Sequence, residues 1–344
     1  MSKGQSGDFG PARLLASAPP IFLTGTARGA YLGISSAFAR RHGNTQAGFI
    51  VFPTWSIERS QAPQAMRKEF FRHIERYPNH RFRFICNTPG EAQRLADLDL
   101  PALFLNKNFM VSEHVFQPVA GTAIEFDALY NARFIPGKRH ELAAAIPRVG
   151  YVTYVDGGRE REFHDLYAAM RARAPGHVLL NDTVDGLPRR MPPRQVNAAL
   201  GRAAVGLVLS EEEGSSYASI EYLLAGLPVV RTPSRGGRDV FFDPDYCIVC
   251  DPDPRAVCDA VAALRARNVP REVVRARTLA RIRPERERFL RLIHDLAEEL
   301  GGTRPDWGDT WPFGDESGVT WRLFKDHLDQ VAGRQHAGPA ADVA

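Results

Sequence analysis

Residues 206–230 constrain the fold of this chain more than any other stretch. A short apolar run is followed by residues 211–214, which are three carboxylates and a glycine and are called the acidic loop below. Apolar residues at helix spacing come next, and Gly226 and Pro228 are typical of a helix end. Another buried-strand run follows them. The pattern therefore predicts a parallel unit of strand, loop, helix and strand.

Ligands of such units bind at the carboxyl ends of the strands, where the acidic loop lies. Glu213 and Glu221 have seven residues between them, so both carboxylates can face one cleft and accept hydrogen bonds from the vicinal hydroxyls of a sugar or ribose. A hydroxyl of Ser215 or Ser216 is expected to cap the helix, and the first-turn amides can bind a phosphate. This arrangement predicts a nucleotide-sugar site. Solvated surface glutamates are the alternative, and the usual explanation for an isolated pair.

The sequence EGSSYASIEYLLAGLPVV, residues 213–230, resembles the signature of the retaining GT-B glycosyltransferases of family four. That signature has an acidic residue, a glycine-rich turn, a second glutamate and a small-Gly-x-Pro-Val-Val ending. The resemblance implies that Glu213 contacts the transferred sugar and Glu221 the ribose of the nucleotide. It covers residues 101–262 and is thin before them.

Two cations, Arg133 and Lys138, flank a Pro-Gly turn in NARFIPGKRHE. In such a loop they can neutralise the charge that grows on a diphosphate as a glycosidic bond breaks, and solvated basic residues are the alternative. The spacing resembles the arginine and lysine pair of the same family, which implies a catalytic set of Arg133, Lys138 and Glu213. The predicted donor-binding residues are Gly29, Arg133, Lys138, Glu213, Gly214, Ser215, Ser216, Tyr217 and Glu221.

A glycine-rich turn, TGTARGAYLG, follows a predicted strand at residues 21–24. It partly resembles the cofactor loop of short-chain dehydrogenases, but Tyr31 replaces the third glycine, and no tyrosine in the chain has a lysine four residues later. A turn at this place also fits the GT-B pattern. Gly29 and Arg28 are therefore candidates for contacting donor phosphate or acceptor, with a purely structural turn as the alternative.

A glycine pair in PSRGGRD follows the strand that contains Val229 and Val230. These glycines allow the backbone to approach a ligand closely. Arg235 and Arg238 beside them are weaker donor-site candidates, because arginines next to glycines are often only solvated.

Strand and helix patterns alternate along the chain, which is typical of parallel sheets with helices on both faces. Strands are predicted at residues 21–24, 49–52, 82–86, 102–105, 126–130, 149–155 and 177–181, and helices at residues 64–76, 89–97, 160–173 and 194–203. Together with the resemblance, this predicts an α/β fold of the GT-B type, in which two Rossmann-like domains with parallel sheets face a central cleft.

Pauses in the alternation predict the domain boundaries. We expect a disordered N-terminus (residues 1–18), an N-terminal acceptor domain (19–120), a C-terminal nucleotide-sugar-binding domain (121–302), a segment that crosses back onto the first domain (303–331) and a disordered tail (332–344). The aromatic residues expected to pin the crossing are Trp307, Trp311, Phe313, Trp321 and Phe324.

The composition of the 344-residue chain, 44% hydrophobic and 24% charged, is that of a soluble globular protein. A net charge of +4 gives no argument for nucleic acid. No apolar run approaches the ~20 residues of a membrane span, and the first residues do not form a convincing signal peptide. Four scattered cysteines predict a cytoplasmic protein without disulfides. Peripheral membrane contact through the arginine-rich residues 270–300 is a minority alternative to a solvated face.

No metal site is predicted. Cys247 and Cys250 form a CxxC in a predicted strand, where residues three apart point to opposite faces. Asp97 and Asp99 form a DxD motif at a helix end, which predicts a solvated turn. Asp253, in a second DxD, precedes a proline and an apolar-periodic run and is expected to cap a helix.

The predicted reaction is a metal-independent hexosyltransferase reaction, in which a sugar moves from a nucleoside diphosphate to an acceptor hydroxyl with retention at the anomeric carbon. The nucleotide sugar is a co-substrate, and no cofactor is expected. Sugar-containing, lipid-linked and natural-product acceptors all fit, as in bacterial-type glycan or natural-product biosynthesis. The alternatives are a sugar-nucleotide 2-epimerase of the same fold and a non-catalytic nucleotide-sugar-binding subunit. No catalytic base is assigned, and His42, His73 and His80 are expected at the surface.

Overall fold

The computed structural model describes residues 11–27, 29–307 and 322–323. The chain forms two compact units: the described residues up to Lys107 and from Glu285 onward belong to the first, and Asn108–Pro284 form the second. Both dividing points come earlier in the chain than residues 120 and 302. The second dividing point lies inside a helix that runs from Arg271 to Glu299, so no helix end in the sequence marks it.

The described part of the first unit contains a six-stranded sheet, three complete helices and the end of a fourth. Its strands are β1 (Pro11–Ser17), β2 (Pro20–Gly25), β3 (Ala47–Phe52), β4 (His80–Cys86), β5 (Ala102–Phe104) and β14 (Arg322–Leu323), and its first helices are α1 (Ser35–His42), α2 (Ala62–Arg76) and α3 (Pro89–Ala96). The strand order is β14-β1-β2-β3-β4-β5. Strands β2 to β5 are parallel, and β1 runs antiparallel to both of its neighbours.

Strand β1 lies within residues 1–18, for which the sequence pattern predicts disorder. That prediction is wrong for residues 11–17, because Ala12 and Leu15 are buried and the strand pairs with β2. Pro11 and Pro20 are the first residues of their strands, where a missing N–H is tolerated.

The second unit contains a fully parallel six-stranded sheet and a small hairpin. The sheet strands are β6 (Phe126–Asn131), β7 (Val149–Val152), β8 (Val178–Leu179), β11 (Ala203–Val208), β12 (Val229–Arg231) and β13 (Cys247–Val249), and the hairpin is β9 (Thr183–Val184) with β10 (Leu187–Pro188). The helices are α4 (Glu160–Arg173), α5 (Pro193–Gly201), α6 (Tyr217–Leu224), α7 (Pro254–Arg267) and α8 (Arg271–Glu299), which continues into the first unit. Short 3-10 turns occur at Lys107–Met110, Pro136–Lys138 and His140–Ala143.

The order of this sheet, β13-β12-β11-β6-β7-β8, determines where a ligand can bind. Counted from its own first strand, it is the 3-2-1-4-5-6 order of a doubly wound Rossmann fold. The order reverses between β6 and β11, so the loops that leave these two strands diverge and open a crevice, which we call the switch point. The loop after β6 carries Arg133 and Lys138, and the loop after β11 carries Glu213.

Helix α6 packs closely on β11 because Gly206 has no side chain. A Cβ atom at Gly206 would lie 2.5 Å from the ring of Tyr222. The ring therefore lies directly over the strand, and its hydroxyl accepts a hydrogen bond of 2.6 Å from the backbone amide of Asn131. This contact ties α6 to the end of β6, one residue from Glu221.

The predicted helix ends are confirmed. Gly226 has a φ of +77° directly after α6, and Asp253 caps α7 by accepting the amides of Arg255 and Ala256 at 2.9 and 3.0 Å. Asp99, at the turn after α3, has an exposed side chain.

Helix α8 is 29 residues long and contains Pro284, at which the chain passes to the first unit. Its arginines hold neighbouring loops of the second unit: Arg275 donates to the carbonyl oxygens of Phe116 and Leu224, and Arg281 pairs with Asp243. These guanidinium groups therefore serve the fold. Within the described part of the chain, no helix is long and apolar enough to cross a membrane.

Trp307, expected to pin the returning segment, stacks on His294 with ring centroids 5.5 Å apart. Both residues belong to the first unit, which the chain re-enters at Glu285. The other aromatic residues of that prediction lie outside the described residues; they are Trp311, Phe313, Trp321 and Phe324.

The prediction that His73 and His80 lie at the surface is wrong. Their side chains are buried, and His73 Nε2 lies 2.8 Å from His80 Nδ1. His73 shares the inner face of α2 with Met66 and Phe70, and His80 begins β4 on the core side. Burial lowers the pKa of each histidine from 6.5 to about 4.

This pair predicts acid sensitivity of the first unit. A histidine with a lowered pKa in the folded state contributes stability that is full above pH 6.5 and is lost as the pH falls toward 4. Between pH 7.5 and 5, the free energy of unfolding should fall by up to about 2 kcal/mol per imidazole. Urea unfolding at both pH values measures this loss. His73→Gln should reduce it, whereas the exposed His164→Ala should not; equal stability of the wild type at both pH values would contradict the assignment.

Candidate active site

Glu213 and Lys138 form an ion pair at the switch point. Lys138 Nζ contacts Glu213 Oε1, and the Lys138 and Glu213 side chains are only 16% and 8% exposed, respectively. Opposite charges buried to this extent are stable when they are paired and costly when one of them is removed. The structure thus brings together one predicted anion and one predicted cation that are 75 positions apart in the chain.

Hydrogen bonds at Lys138 and at the next residue hold the loop that carries Lys138 in place. Tyr130 Oη donates a hydrogen bond of 2.5 Å to the carbonyl oxygen of Lys138. Arg139, in the left-handed region at a φ of 52°, donates to the carbonyl oxygen of Leu209 and to Thr232 Oγ1, both at 2.6 Å. These contacts fix the loop after β6 to the ends of β11 and β12.

Glu221 lies in the middle of α6 instead of in its first turn. Its Oε2 accepts a hydrogen bond of 2.9 Å from Asn131 Nδ2, and the side chain keeps partial access to solvent. Burial raises the pKa of Glu221 to about 7, against the opposing effects of the Asn131 hydrogen bond and the charge of Arg190. Near neutral pH this carboxyl group can therefore be either a donor or an acceptor.

Arg133 is paired with a different carboxylate from the one that Lys138 contacts. Its guanidinium contacts Asp156 Oδ2, and its Cζ lies 5.9 Å from the ring centre of Tyr154. Arg190 lies over the same ring, at 4.8 Å. The two predicted cations thus follow the same strand but contact acids on different loops.

The amino end of α6 is open. Ser216 occupies the N-cap position without a side-chain hydrogen bond, so the expected capping by a serine hydroxyl is wrong; its carbonyl oxygen instead accepts from Ser219. Within residues 11–27, 29–307 and 322–323, the amides of Gly214, Ser215 and Ser216 have no acceptor, and Ser215 Oγ is buried without a partner. Tyr217 begins the helix. Such unpaired donors and the helix dipole favour an anion.

Arg235, a weaker candidate, contacts the acidic loop. Its guanidinium lies 3.4 Å from Glu211 Oε1 and 3.0 Å from Glu212 Oε2. These exposed pairs neutralise two carboxylates of the loop and leave Glu213 to Lys138.

Arg238 is 1% exposed and is enclosed in the second unit. It donates to the carbonyl oxygen and hydroxyl of Ser210, to the carbonyl oxygen of Thr232 and to Asp239. The expectation that Arg238 contacts a donor is therefore wrong, because its hydrogen-bond donors are directed at the protein itself.

The glycine-rich turn of the first unit has room for a side chain. Gly29 has a φ of +80°, and no described atom lies within 4 Å of the place that a Cβ atom would take there. The positive φ alone therefore explains why residue 29 is a glycine, since no described atom excludes a side chain there. Arg28 lies outside the described residues.

Three residues of this region were not predicted from the sequence: Asn131, Tyr154 and Arg190. Asn131 is a polar residue at the carboxyl end of a strand, a signal that could have identified it. Tyr154 and Arg190 come together only through the fold, so no local pattern marks them.

Metal-binding clusters of three or more His, Cys, Asp or Glu side chains do not occur among the described residues. Cys247 is buried in β13, and Cys250 Sγ lies 3.6 Å from the carbonyl oxygen of Arg231.

Two α/β units, one of them with the Rossmann strand order, are consistent with the GT-B fold of glycosyltransferases, and comparison with solved structures shows this fold. Sucrose-phosphate synthase from Thermosynechococcus elongatus is similar at a TM-score of 0.59, with 16% identity over 82% of this chain and 73% of that one. HepE from Anabaena, solved with UDP and glucose, is similar at a TM-score of 0.56, with 13% identity over 78% and 77% of the two chains.

TarM from S. aureus is similar at a TM-score of 0.53, with 11% identity over 76% of this chain. The present chain spans only 58% of TarM. By sequence, the chain matches no protein-family model and no curated protein. At these identities the likeness establishes the fold.

The raised pKa of Glu221 predicts a gain in stability when its charge is removed. A carboxyl group whose pKa rises on folding contributes stability that is present below pH 4.5 and is lost as the pH rises through 7. Glu221→Gln should therefore raise the free energy of unfolding by about 1–3 kcal/mol at pH 8 and leave it nearly unchanged at pH 5. Thermal unfolding at both pH values tests this, with the exposed Glu272→Gln as control. A variant less stable than the wild type at pH 8 would disprove the burial argument.

Proposed function

We propose that this protein is a glycosyltransferase that moves a sugar from a nucleoside diphosphate to an acceptor hydroxyl. The observation that carries the proposal is the Lys138–Glu213 pair, which lies at the switch point of a Rossmann sheet beside the open end of α6. Ligands of doubly wound sheets bind at this point. The fold shared with sucrose-phosphate synthase and HepE supports the same assignment.

The charges of the site match the parts of a nucleotide sugar. Glu213 accepts hydrogen bonds from the hydroxyls of the sugar, and the amides of Ser215 and Ser216 donate to a phosphate. Lys138 turns from Glu213 toward the diphosphate once the donor brings its negative charge. Arg133 joins it when its contact with Asp156 opens.

The chemical step then follows from these positions. The bond between the anomeric carbon and the diphosphate oxygen breaks, and its electron pair stays on the diphosphate. Lys138 and Arg133 stabilise the charge that develops there, an effect for which loss of one contact typically costs roughly 10²–10³ in rate. The acceptor oxygen forms the new bond to the anomeric carbon and gives its proton to the departing diphosphate, and we expect retention of configuration, as in the family that the motif resembles.

The nucleoside is held by the other half of the site. Glu221 accepts the ribose hydroxyls in its ionised form, and Asn131 orients its carboxylate. UDP is the first nucleotide to test, since HepE was solved with it. The acceptor is a molecule with a free hydroxyl, such as a saccharide, a lipid-linked glycan or a natural product.

Loss of Lys138 should lower the rate at which the donor is cleaved, in a variant whose folding is verified because Glu213 loses its buried partner. With a panel of UDP- and GDP-sugars, the wild type should bind at least one by calorimetry and release the nucleoside diphosphate slowly without acceptor. Lys138→Ala should lower the rate of release about 10²–10³-fold. Arg161→Ala, whose side chain is 96% exposed, is the matched control and should behave as the wild type.

The outcomes of this assay separate the candidate functions. Conversion of the donor to an epimer would indicate a 2-epimerase, and binding without turnover would indicate a non-catalytic subunit. A wild type that binds no nucleotide sugar would overturn the proposal altogether.

We also propose that the reaction does not require a metal ion, because Lys138 and Arg133 can neutralise the leaving diphosphate once they turn from their carboxylates. Activity in excess chelator should then remain within about twofold of the untreated rate, since this charge stabilisation comes from side chains. Loss of activity that Mn²⁺ or Mg²⁺ restores would refute metal independence.

A further inference from the structure

The acidic loop is joined along its backbone to residues 233–238, which follow β12 and are called the glycine loop below. Three backbone hydrogen bonds connect the loops, from Glu213 N to Arg235 O at 3.0 Å, from Arg235 N to Glu211 O at 3.0 Å and from Gly237 N to Gly214 O at 2.8 Å. Glu212 and Arg235 also form a parallel bridge. The position of the Glu213 backbone is therefore determined by the glycine loop.

At this contact, position 236 has room only for a glycine. Its φ is +96°, and a Cβ atom there would lie 1.6 Å from the carbonyl oxygen of Glu213 and 2.8 Å from its carbonyl carbon. Real Cβ atoms do not approach backbone atoms this closely, so any side chain at Gly236 displaces Glu213. The glycine pair thus permits close approach to the acidic loop, whereas the sequence pattern predicted an approach to a ligand.

Arg238 holds the same loop from the interior of the second unit. Its enclosed guanidinium bridges Ser210, the residue before the acidic loop, and Thr232, the residue after β12. Its own carbonyl oxygen accepts a hydrogen bond of 2.9 Å from Ser219 Oγ. The carbonyl oxygen of Ser216, at the start of α6, lies 2.6 Å from the same hydroxyl and shares its single proton. The glycine loop therefore supports the Glu213 backbone directly and reaches the helix end only through the Ser219 hydroxyl.

We infer that Gly236 is a positioning residue for Glu213 in the reaction proposed above, on which this inference rests. Glu213 contacts the sugar in that reaction, whereas Glu221 contacts the ribose and belongs to α6. A side chain at Gly236 therefore moves the group that holds the sugar and leaves nucleoside binding intact. Misplacement of a reacting group by about 1 Å can lower a rate about 10²-fold.

The test compares Gly236→Ala with Gly121→Ala. Both glycines have a positive φ, +96° and +71°, so both variants carry the same kind of backbone strain, but no described atom lies within 4 Å of a Cβ at Gly121. Calorimetry measures the affinity for UDP, and steady-state kinetics measure kcat and KM for the nucleotide sugar that the panel identifies. We expect Gly236→Ala to keep its UDP affinity within about threefold and to lose about 10²-fold in kcat. Gly121→Ala should match the wild type in both.

Each outcome decides the inference. Equal kcat values for Gly236→Ala and Gly121→Ala would overturn it, and so would a loss of UDP affinity as large as the loss of kcat, since that indicates general damage. If Gly236→Ala does not fold, Ser210→Ala loosens the same support: a kcat lowered severalfold at unchanged UDP affinity supports the inference, and a wild-type kcat overturns it. A wild type without any nucleotide-sugar activity refutes the proposed function itself, which is a different result.

Discussion

The ion pair between Lys138 and Glu213 is the interaction on which the site depends. Both side chains are largely buried, and buried charges are tolerated only where a partner is held at close range. Two separate supports provide that. Arg139 fastens the loop of the cation to the strands, and the backbone ladder of the glycine loop fastens the acidic loop. The pair therefore joins the two loops at the switch point, whose position follows from the strand order.

Most of the fold could be predicted from the sequence, because local period and end signals agree with the tertiary structure. Helix α4 occupies the predicted residues, the predicted Gly226 follows the C-cap of α6, and the predicted Asp253 is the N-cap of α7. The failures concern long-range contacts. Strand β1 is defined by its pairing with β2. His73 is buried on the inner face of α2, although a polar residue such as histidine is usually predicted at the surface.

The candidate site was predictable only where its residues share a loop or a helix. The acidic loop and α6 form one local motif, so Glu213 and Glu221 could be singled out together. The contact of Lys138 with Glu213 agrees with the predicted convergence, but the partner of Arg133 does not follow from spacing. Arg238 is the clearest residue that the sequence could not predict. Its guanidinium donates to carbonyl groups that follow two different strands, and no sequence pattern connects these groups.

The enclosure of Arg238 places a permanent positive charge inside the second unit, with Asp239 as its ion-pair partner. A guanidinium group stays protonated at any physiological pH, so this charge cannot be titrated away as that of a histidine could. Because it is shielded from water, dissolved ions screen it far less than they screen the exposed Arg235. The hydrogen bonds by which this charge holds Ser210 and Thr232 therefore depend little on the salt content of the surroundings.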